Sequence, residues 1–203
     1  GIEKIYEEIK KLYPKAKSFY ISSDTVKNPN QYDNVLKNII ENKIDIIIGT
    51  QLLSKGHNFP FLKTVGILNI DCLMNSFDFR SFEKTYQQII QVSGRAGRKN
   101  EKGDVYIETF QPKHPVMELC KHYKTEEYYE WELKLRKKNK HPPFSKFISI
   151  IISSKKELEA SKFSNVITKK IRTFFDYIEV YGPVPSIISK KNLFYRYRIL
   201  IKF

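Results

Sequence analysis

The sequence predicts an α/β domain with a parallel sheet and flanking helices, followed by a small α+β domain. Two compact apolar runs, residues 44–50 and 65–71, are typical of strands buried in a parallel sheet. Apolar residues at helical spacing lie on both sides of these runs, as crossover connections require. The pattern changes after Pro112 and Pro115, where a helical segment and then a second set of strands are predicted.

The first domain is predicted to begin with a helix at residues 2–12, because isoleucines recur there at helical spacing until Pro14 stops it. The elements that follow alternate between strands and helices. They are a strand at 19–22, a helix at 32–41, the strands at 44–50 and 65–71, a helix at 79–92 and a strand at 104–110. This order indicates a sheet whose parallel strands are joined by helices.

Residues 116–139 are predicted to be helical, and His141-Pro142-Pro143 breaks the chain after them. A small module of four strands and one helix is predicted next. Its elements are a strand at 147–152, a helix at 158–175, a strand at 177–181 that ends at Gly182-Pro-Val-Pro, and strands at 186–190 and 195–203. We therefore divide the chain into residues 1–115, a helical connector at 116–140 and a C-terminal domain at 141–203.

The chain of 203 residues has a net charge of +14, which lies mostly in its second half. Residues 1–110 hold 16 basic and 13 acidic side chains, whereas residues 111–203 hold 20 and 9. A concentrated positive field attracts polyanions, and nucleic acid is the commonest of these in a cell. The alternative is a Lys-rich surface that only keeps the protein soluble.

The composition also indicates where in the cell the protein works and which partners it lacks. No apolar run approaches the ~20 residues of a membrane-spanning helix, so we expect no membrane partner. The only two cysteines, Cys72 and Cys120, are not spaced as zinc ligands, and we expect both to be buried apolar residues and the chain to hold no metal. A cytoplasmic location fits this cysteine usage. Because Phe203 ends the chain inside a predicted strand, we expect a longer parent protein.

The strongest motif runs from Gln91 to Arg98, at the end of a predicted helix. Its two glycines permit a tight turn, and Arg95 and Arg98 are spaced to lie close together on one helical turn. Two guanidinium groups held together can bind phosphate oxygens and stabilise charge on a transferring phosphoryl group. The alternative is a helix C-terminus at which Gly and Arg cap the last carbonyls.

A second motif, residues 49–60, follows the apolar strand directly. Gly49 and Thr50 place backbone N–H groups and a hydroxyl at the carboxyl edge of the sheet, where α/β proteins bind ligands. Lys55 adds charge and Asn58 adds a polar contact. The alternative is an ordinary turn between a strand and a helix.

Two weaker groups of residues carry charge. A cluster after the second apolar run could couple two sites, but a local salt-bridge network is favoured for it. Its members are Asp71, Asp78, Arg80 and Glu83. Near the C-terminus, Lys190 and Lys191 precede Tyr195-Arg196-Tyr197-Arg198, which fits base stacking on aromatics with phosphate binding by cations. The alternative is a strand with an aromatic core face and a solvated basic face.

Together the two motifs resemble a known family. The order Gly-Thr-x5-Gly-x-Asn and then Gln-x2-Gly-Arg-x-Gly-Arg is similar to motifs V and VI of superfamily-2 helicases. The wider set of matching residues resembles the C-terminal part of the PriA family of primosomal replication-restart helicases. That set comprises residues 49–60, Asp71, residues 78–83, residues 91–98, His141-Pro-Pro-Phe, Gly182-Pro-Val-Pro and Tyr195-Arg196.

The resemblance implies a role for each matched residue. Residues 1–115 would be the second RecA-like lobe of the motor, and the domain at 141–203, truncated at its end, would bind branched DNA. Arg95 and Arg98 would be arginine fingers that reach the ATP γ-phosphate. Residues near the nucleotide would be Gln91, Gly56 and Asn58, the last of which is Asp in many superfamily-2 members. DNA-binding residues would be Gly49, Thr50, Gln51 and Lys55, with Lys190, Lys191, Arg196 and Arg198 in the C-terminal domain.

The resemblance also implies cofactors and partners. ATP with Mg²⁺ would bind in a site shared with a first lobe, since the sequence has no G-x-x-x-x-G-K-[ST] loop. This chain alone is therefore expected to be inactive. The family's zinc module has no ligands here. Partners would be forked and single-stranded DNA, single-stranded DNA-binding protein and primosome proteins, for a 3′-to-5′ helicase that restarts stalled replication. The alternatives are a non-catalytic nucleic-acid-binding scaffold and another superfamily-2 helicase.

Overall fold

The computed structural model describes residues 1–22, 29–50, 59, 61–97 and 103–203, with the side chains of 29–32 left out. The chain divides into two compact units, Gly1–Tyr128 and Tyr129–Phe203. The division falls inside the segment that the sequence predicts as a connector, and the limits at 115 and 140 stay predictions. None of the described helices is both long and apolar enough to cross a membrane.

The first unit has its predicted helices and strands in the predicted order, with a further short helix at residues 71–74 that the sequence does not predict. Its elements are α1 Ile2–Leu12, β1 Ser18–Ile21, α2 Pro29–Ile40, β2 Ile46–Gly49, β3 Thr64–Ile67, α3 Asp71–Met74, α4 Ser81–Ser93, β4 Asp104–Ile107 and α5 Pro115–Lys121. Helix α6, Thr125–Lys138, contains the division between the units. The alternation follows the apolar periodicity of the sequence, which changes from about 3.6 residues in helices to continuous runs in strands.

The strands of this unit pair in parallel, as the sequence predicts. β1 lies beside β2, with Ser18 opposite Ile46, and β3 lies beside β4, with Thr64 opposite Asp104. Among the described residues, these are two separate two-stranded sheets. Each pair is joined by at least one helix, which is the crossover that parallel strands need.

Two apolar clusters fill the first unit. Around β1 and α2 the buried side chains are Ile21, Val35, Ile39 and Phe59. Around α4 and α5, Tyr86 stacks on Tyr128 with ring centroids 3.8 Å apart, and its hydroxyl bonds to Oγ1 of Thr125 at 3.0 Å. Each fully buried large side chain of this kind stabilises the fold by roughly 1.5–3 kcal/mol.

The segment 116–139 is helical, as the sequence predicts, and one of the two cysteine predictions is wrong. The segment forms two helices, because Tyr123 adopts a left-handed φ of 53° and α6 begins afresh at Thr125. Cys120 is buried, and burial raises the pKa of its thiol to about 12. Cys72, in contrast, is exposed, because on α3 its neighbours Asp71 and Met74 take the inward positions.

The second unit has the order β-α-β-β, with one strand where the sequence predicts two, at 177–181 and 186–190. Its elements are β5 Phe147–Ser154, α7 Glu157–Phe174, β6 Glu179–Lys191 and β7 Phe194–Lys202. The antiparallel sheet has the order β5-β7-β6. Helix α7 buries small residues, Ala160, Ser164 and Thr168, and the two hydroxyls bond to carbonyls of the preceding turn at 2.8 Å.

The predicted end of a strand at Gly182-Pro-Val-Pro is wrong. β6 continues through this motif to Lys191. Its pairing with β7 shifts register after Tyr181 and again after Pro185. A proline without an N–H cannot join a regular ladder, so an irregular strand is the physical result. Arg172 steadies it by donating to the carbonyls of Val180, at 2.9 Å, and Gly182, at 3.2 Å.

Candidate functional site

The arginine motif lies where α4 ends. The helix stops at Ser93, and single turns continue it, with the amide of Arg95 donating to the carbonyl of Val92 at 3.0 Å. Arg95 is half-buried and stands two residues beyond the helix, and its closeness to Arg98 stays a prediction. Arg98 lies outside the described residues. Gln91 is exposed on the last turn of α4, four residues before Arg95.

The turn after Arg95 is anchored to the start of β3. Gly97 has a φ of 75°, a conformation that favours glycine, and its amide donates to the carbonyl of Leu62 at 3.0 Å. The next residue, Lys63, accepts at 2.9 Å from the amide of Asp104, the first residue of β4. The end of the motif is therefore held where β3 and β4 begin.

The second motif begins at the carboxyl end of a strand, whereas the arginine motif is anchored where strands begin. Gly49 is the last residue of β2, opposite Ile21 of β1, and Thr50 follows it with an exposed side chain. Both therefore lie at the carboxyl end of a parallel pair, as predicted, where backbone amides and a hydroxyl can meet an anion. Gln51, Lys55, Gly56 and Asn58 lie outside the described residues. Phe59 is 6% exposed and returns the chain to the core.

The charged residues that follow the second apolar run have two separate structural roles. Buried Asp71 accepts hydrogen bonds from the hydroxyl of Thr109 and the amide of Phe110, both at 2.9 Å. It thereby ties α3 to the segment after β4 and does not join the other charges. Sequence reasoning placed it in the cluster because spacing alone does not show this partner.

Asp78 forms the ion-pair network at the start of α4. Its carboxylate accepts from Lys84 at 2.5 Å and lies 3.5 Å from Nε of Arg80, whose amide also donates to it at 3.0 Å. Burial raises the pKa of Asp78, but the bonds from Lys84 and Arg80 outweigh it and lower the pKa to about 2. Glu83 accepts instead from Gln87 at 3.1 Å. The local network favoured from the sequence is what Asp78 and Arg80 form.

The basic residues of the C-terminal module lie on two faces of its sheet. Side chains alternate along β7, so Arg196 and Arg198 lie on the face opposite Ile199, which is fully buried. Lys190 lies opposite Tyr195, with Nζ 4.6 Å from the ring centroid and 3.2 Å from the hydroxyl. Lys191 lies opposite Phe194. The predicted interleaving of a cation with an aromatic ring is seen for Lys190 and Tyr195. The alternative, a strand with a basic face opposite its core face, describes Arg196 and Arg198.

Residues with a capacity to bind metal do not gather in the described ranges. No group of three or more His, Cys, Asp or Glu side chains is placed to hold an ion among residues 1–22, 29–50, 59, 61–97 and 103–203. These residues offer instead a half-buried arginine at a fixed turn, exposed polar groups at a strand end, and basic side chains on both faces of a sheet. Such groups bind phosphate oxygens.

Two family models match the chain. The Helicase conserved C-terminal domain matches residues 2–100, and the Primosomal protein N C-terminal domain matches residues 137–203. The first unit thus has the fold of a RecA-like second helicase lobe, and a small C-terminal domain follows it.

Curated relatives match along almost the whole chain. It is 39% identical to Replication restart protein PriA of Rickettsia conorii, 40% to that of Borreliella burgdorferi and 33% to that of Bacillus subtilis. The alignments cover 99%, 98% and 100% of this chain, but 31%, 30% and 25% of the relatives. The chain therefore spans less than a third of the length of these relatives.

Proposed function

The chain belongs to the PriA family of replication restart proteins, and from this we propose that it forms part of an ATP-dependent 3′-to-5′ DNA helicase. In the full-length protein it supplies the second motor lobe and a DNA-binding C-terminal domain. That protein recognises stalled or branched forks and restarts replication by primosome assembly. The observation that carries the proposal is the order of the two matched domains in one chain.

The arginine motif is assigned to ATP hydrolysis. Arg95 and Arg98 act as arginine fingers on the γ-phosphate, and Gln91, Gly56 and Asn58 contact the nucleotide. The turn anchored through Gly97 supports this role, because a finger must hold its charge at one place as the phosphoryl group transfers. Without a phosphate-binding loop in its sequence, this chain alone does not hydrolyse ATP, and Mg²⁺ is held by the first lobe.

DNA is assigned to two regions. Thr50 and the amide of Gln51 hold a backbone phosphate at the carboxyl end of β2, with Gly49 allowing close approach and Lys55 adding charge. In the C-terminal module, Lys190, Lys191, Arg196 and Arg198 bind phosphates, with bases stacking near Tyr195. The net +11 of residues 111–203 supports this assignment. Single-stranded DNA-binding protein and primosome proteins are the partners, in the bacterial cytoplasm.

The experiment is DNA-stimulated ATP hydrolysis by the full-length protein, by its Arg98→Ala variant and by this chain alone. We expect DNA-dependent turnover in the first, a loss of about 10³-fold or more in the second, and none in the third. Turnover within twofold of wild type in Arg98→Ala would remove the finger role. A full-length protein that binds forked DNA without hydrolysing ATP would favour the non-catalytic scaffold, and a preference for duplex RNA would favour another class of helicase.

A further inference from the structure

We propose that Gly103 is a positioning residue for the turn that carries Arg95. The inference rests on the proposed role of Arg95. Gly103 has no side chain, and it influences Arg95 through close backbone contact with Ala96 and Gly97. Gly103 directly precedes β4, whereas Arg95 follows α4. The two segments are adjacent in space because the turn and the start of β4 share one anchoring point.

That anchoring point is a junction of three segments, which we call the β3–β4 junction and define as Leu62, Lys63, Ala96, Gly97 and Gly103. Two hydrogen bonds tie it together. The amide of Gly97 donates to Leu62 at 3.0 Å, and the amide of Asp104 donates to Lys63 at 2.9 Å. Because Leu62 and Lys63 are consecutive, the turn and the start of β4 are held side by side on one short stretch of chain.

Steric contact makes glycine necessary at position 103. A Cβ built there would lie 2.5 Å from the carbonyl carbon of Ala96 and 2.6 Å from its Cβ, and closer still to the amide nitrogen of Gly97. Non-bonded carbon atoms prefer ~3.5–4.0 Å, so these contacts are strongly repulsive. Two of the three atoms belong to backbone and cannot rotate away. Any side chain at 103 must therefore displace the turn or the start of the strand.

The displacement would reach Arg95 directly, since Arg95 is bonded to Ala96. Misplacement of a catalytic group by ~1 Å can cost about 10²-fold in rate, because the group no longer meets the charge that develops in the transition state. The absence of a side chain at Gly103 therefore leaves the room in which the turn at Ala96 and Gly97 lies. Sequence reasoning missed it because a single glycine before a strand carries no chemical group.

The test uses the full-length protein with Gly103→Ala, and Gly66→Ala as the matched control. Gly66 lies on the adjacent β3, and a Cβ there would meet no atom within 4 Å. We expect Gly103→Ala to lower kcat for DNA-stimulated ATP hydrolysis ~10–100-fold with DNA affinity within twofold of wild type. Gly66→Ala should leave both unchanged.

A double-mutant cycle separates positioning from general damage. If Gly103 acts through Arg95, adding Gly103→Ala to Arg95→Ala should lower kcat no further than Arg95→Ala alone. Additive losses, or wild-type kcat in Gly103→Ala, would overturn the inference. Should Gly103→Ala fail to fold, the double variant Ala96→Gly/Gly103→Ala removes the side-chain part of the clash and keeps its two backbone contacts. A wild-type kcat in that double variant would count against the inference.

Hydrogen exchange at the Gly97 amide gives a readout that is independent of ATP hydrolysis. Gly103→Ala should speed exchange of this amide at least tenfold, because its bond to Leu62 is strained. Unchanged exchange would overturn the positioning role even if activity fell. A wild-type protein that hydrolyses no ATP would overturn the proposed function, while exchange would still decide whether Gly103 fixes the turn.

Discussion

The carboxylate of Asp71 accepts a 2.9 Å hydrogen bond from the hydroxyl of Thr109, across 38 positions of sequence. This bond, with a second from the amide of Phe110, closes the end of β4 against α3. Asp71 is buried, so its oxygens have few other partners to accept from. The residue matched by family resemblance therefore has a structural explanation of its own.

Asp71→Ala is predicted to destabilise the protein by about 1–3 kcal/mol, because two partly buried hydrogen bonds lose their charged acceptor. Asp71→Asn retains one acceptor oxygen and should cost about half as much. Urea denaturation of both variants measures the difference. Equal stabilities of wild type and Asp71→Ala would show that Thr109 and Phe110 find other partners.

The ion pairs of Asp78 predict a loss of stability in acid. Its pKa is about 2 when folded, below the ordinary value of 3.8, so the pairs stabilise the fold above about pH 4. That contribution is lost as the pH falls from about 4 to about 2. We expect it to be of order 1 kcal/mol, since solvent screens the half-exposed Arg80 and Lys84.

The measurement for Asp78 compares denaturant midpoints of wild type and Asp78→Asn between pH 2 and pH 5. The two curves should converge near pH 2 and separate above pH 4. Parallel curves across the whole range would contradict a paired Asp78.

Glu132 and Arg136 form a buried pair on α6, with 2.8 Å between Oε1 and Nε. Arg136→Met is predicted to cost about 3–5 kcal/mol, because it leaves the Glu132 charge without this partner. The double variant Glu132→Gln/Arg136→Met should recover part of that loss. A double variant as unstable as the sum of the single variants would show that the pair is not coupled.

Salt dependence tests phosphate binding by the C-terminal module. Arg198→Ala should lower affinity for single-stranded DNA and reduce the slope of log K against log salt by about 0.7. Lys4→Ala, on α1 of the other unit, is the matched control and should leave the slope unchanged. Fluorescence anisotropy at several salt concentrations gives both values, and an unchanged slope in Arg198→Ala would exclude that phosphate contact.

The sequence predicted the helices and parallel strands because their signals are local. The apolar run at 44–50 became β2, and the helix predicted at 79–92 became α4, each within a few residues. What it could not predict depends on distant partners. The acceptor role of Asp71 depends on a segment 38 residues away, the course of β6 past Gly182 depends on Arg172, and the contact of Gly103 with Ala96 involves no side-chain chemistry.

The small buried residues of α7 limit which substitutions this helix can accept during evolution. Ala160 and Ser164 are fully buried, and the hydroxyl of Ser164 is satisfied within its own helix, so this face constrains volume more than polarity. Exchange between Ala and Ser should be nearly neutral at both positions, whereas Gly would cost about 1 kcal/mol of helix stability and Leu or Phe would lift the helix from the sheet. A saturation library at 160 and 164, sorted by folding, should be enriched in Ala and Ser, and enrichment of large apolar residues would contradict this constraint.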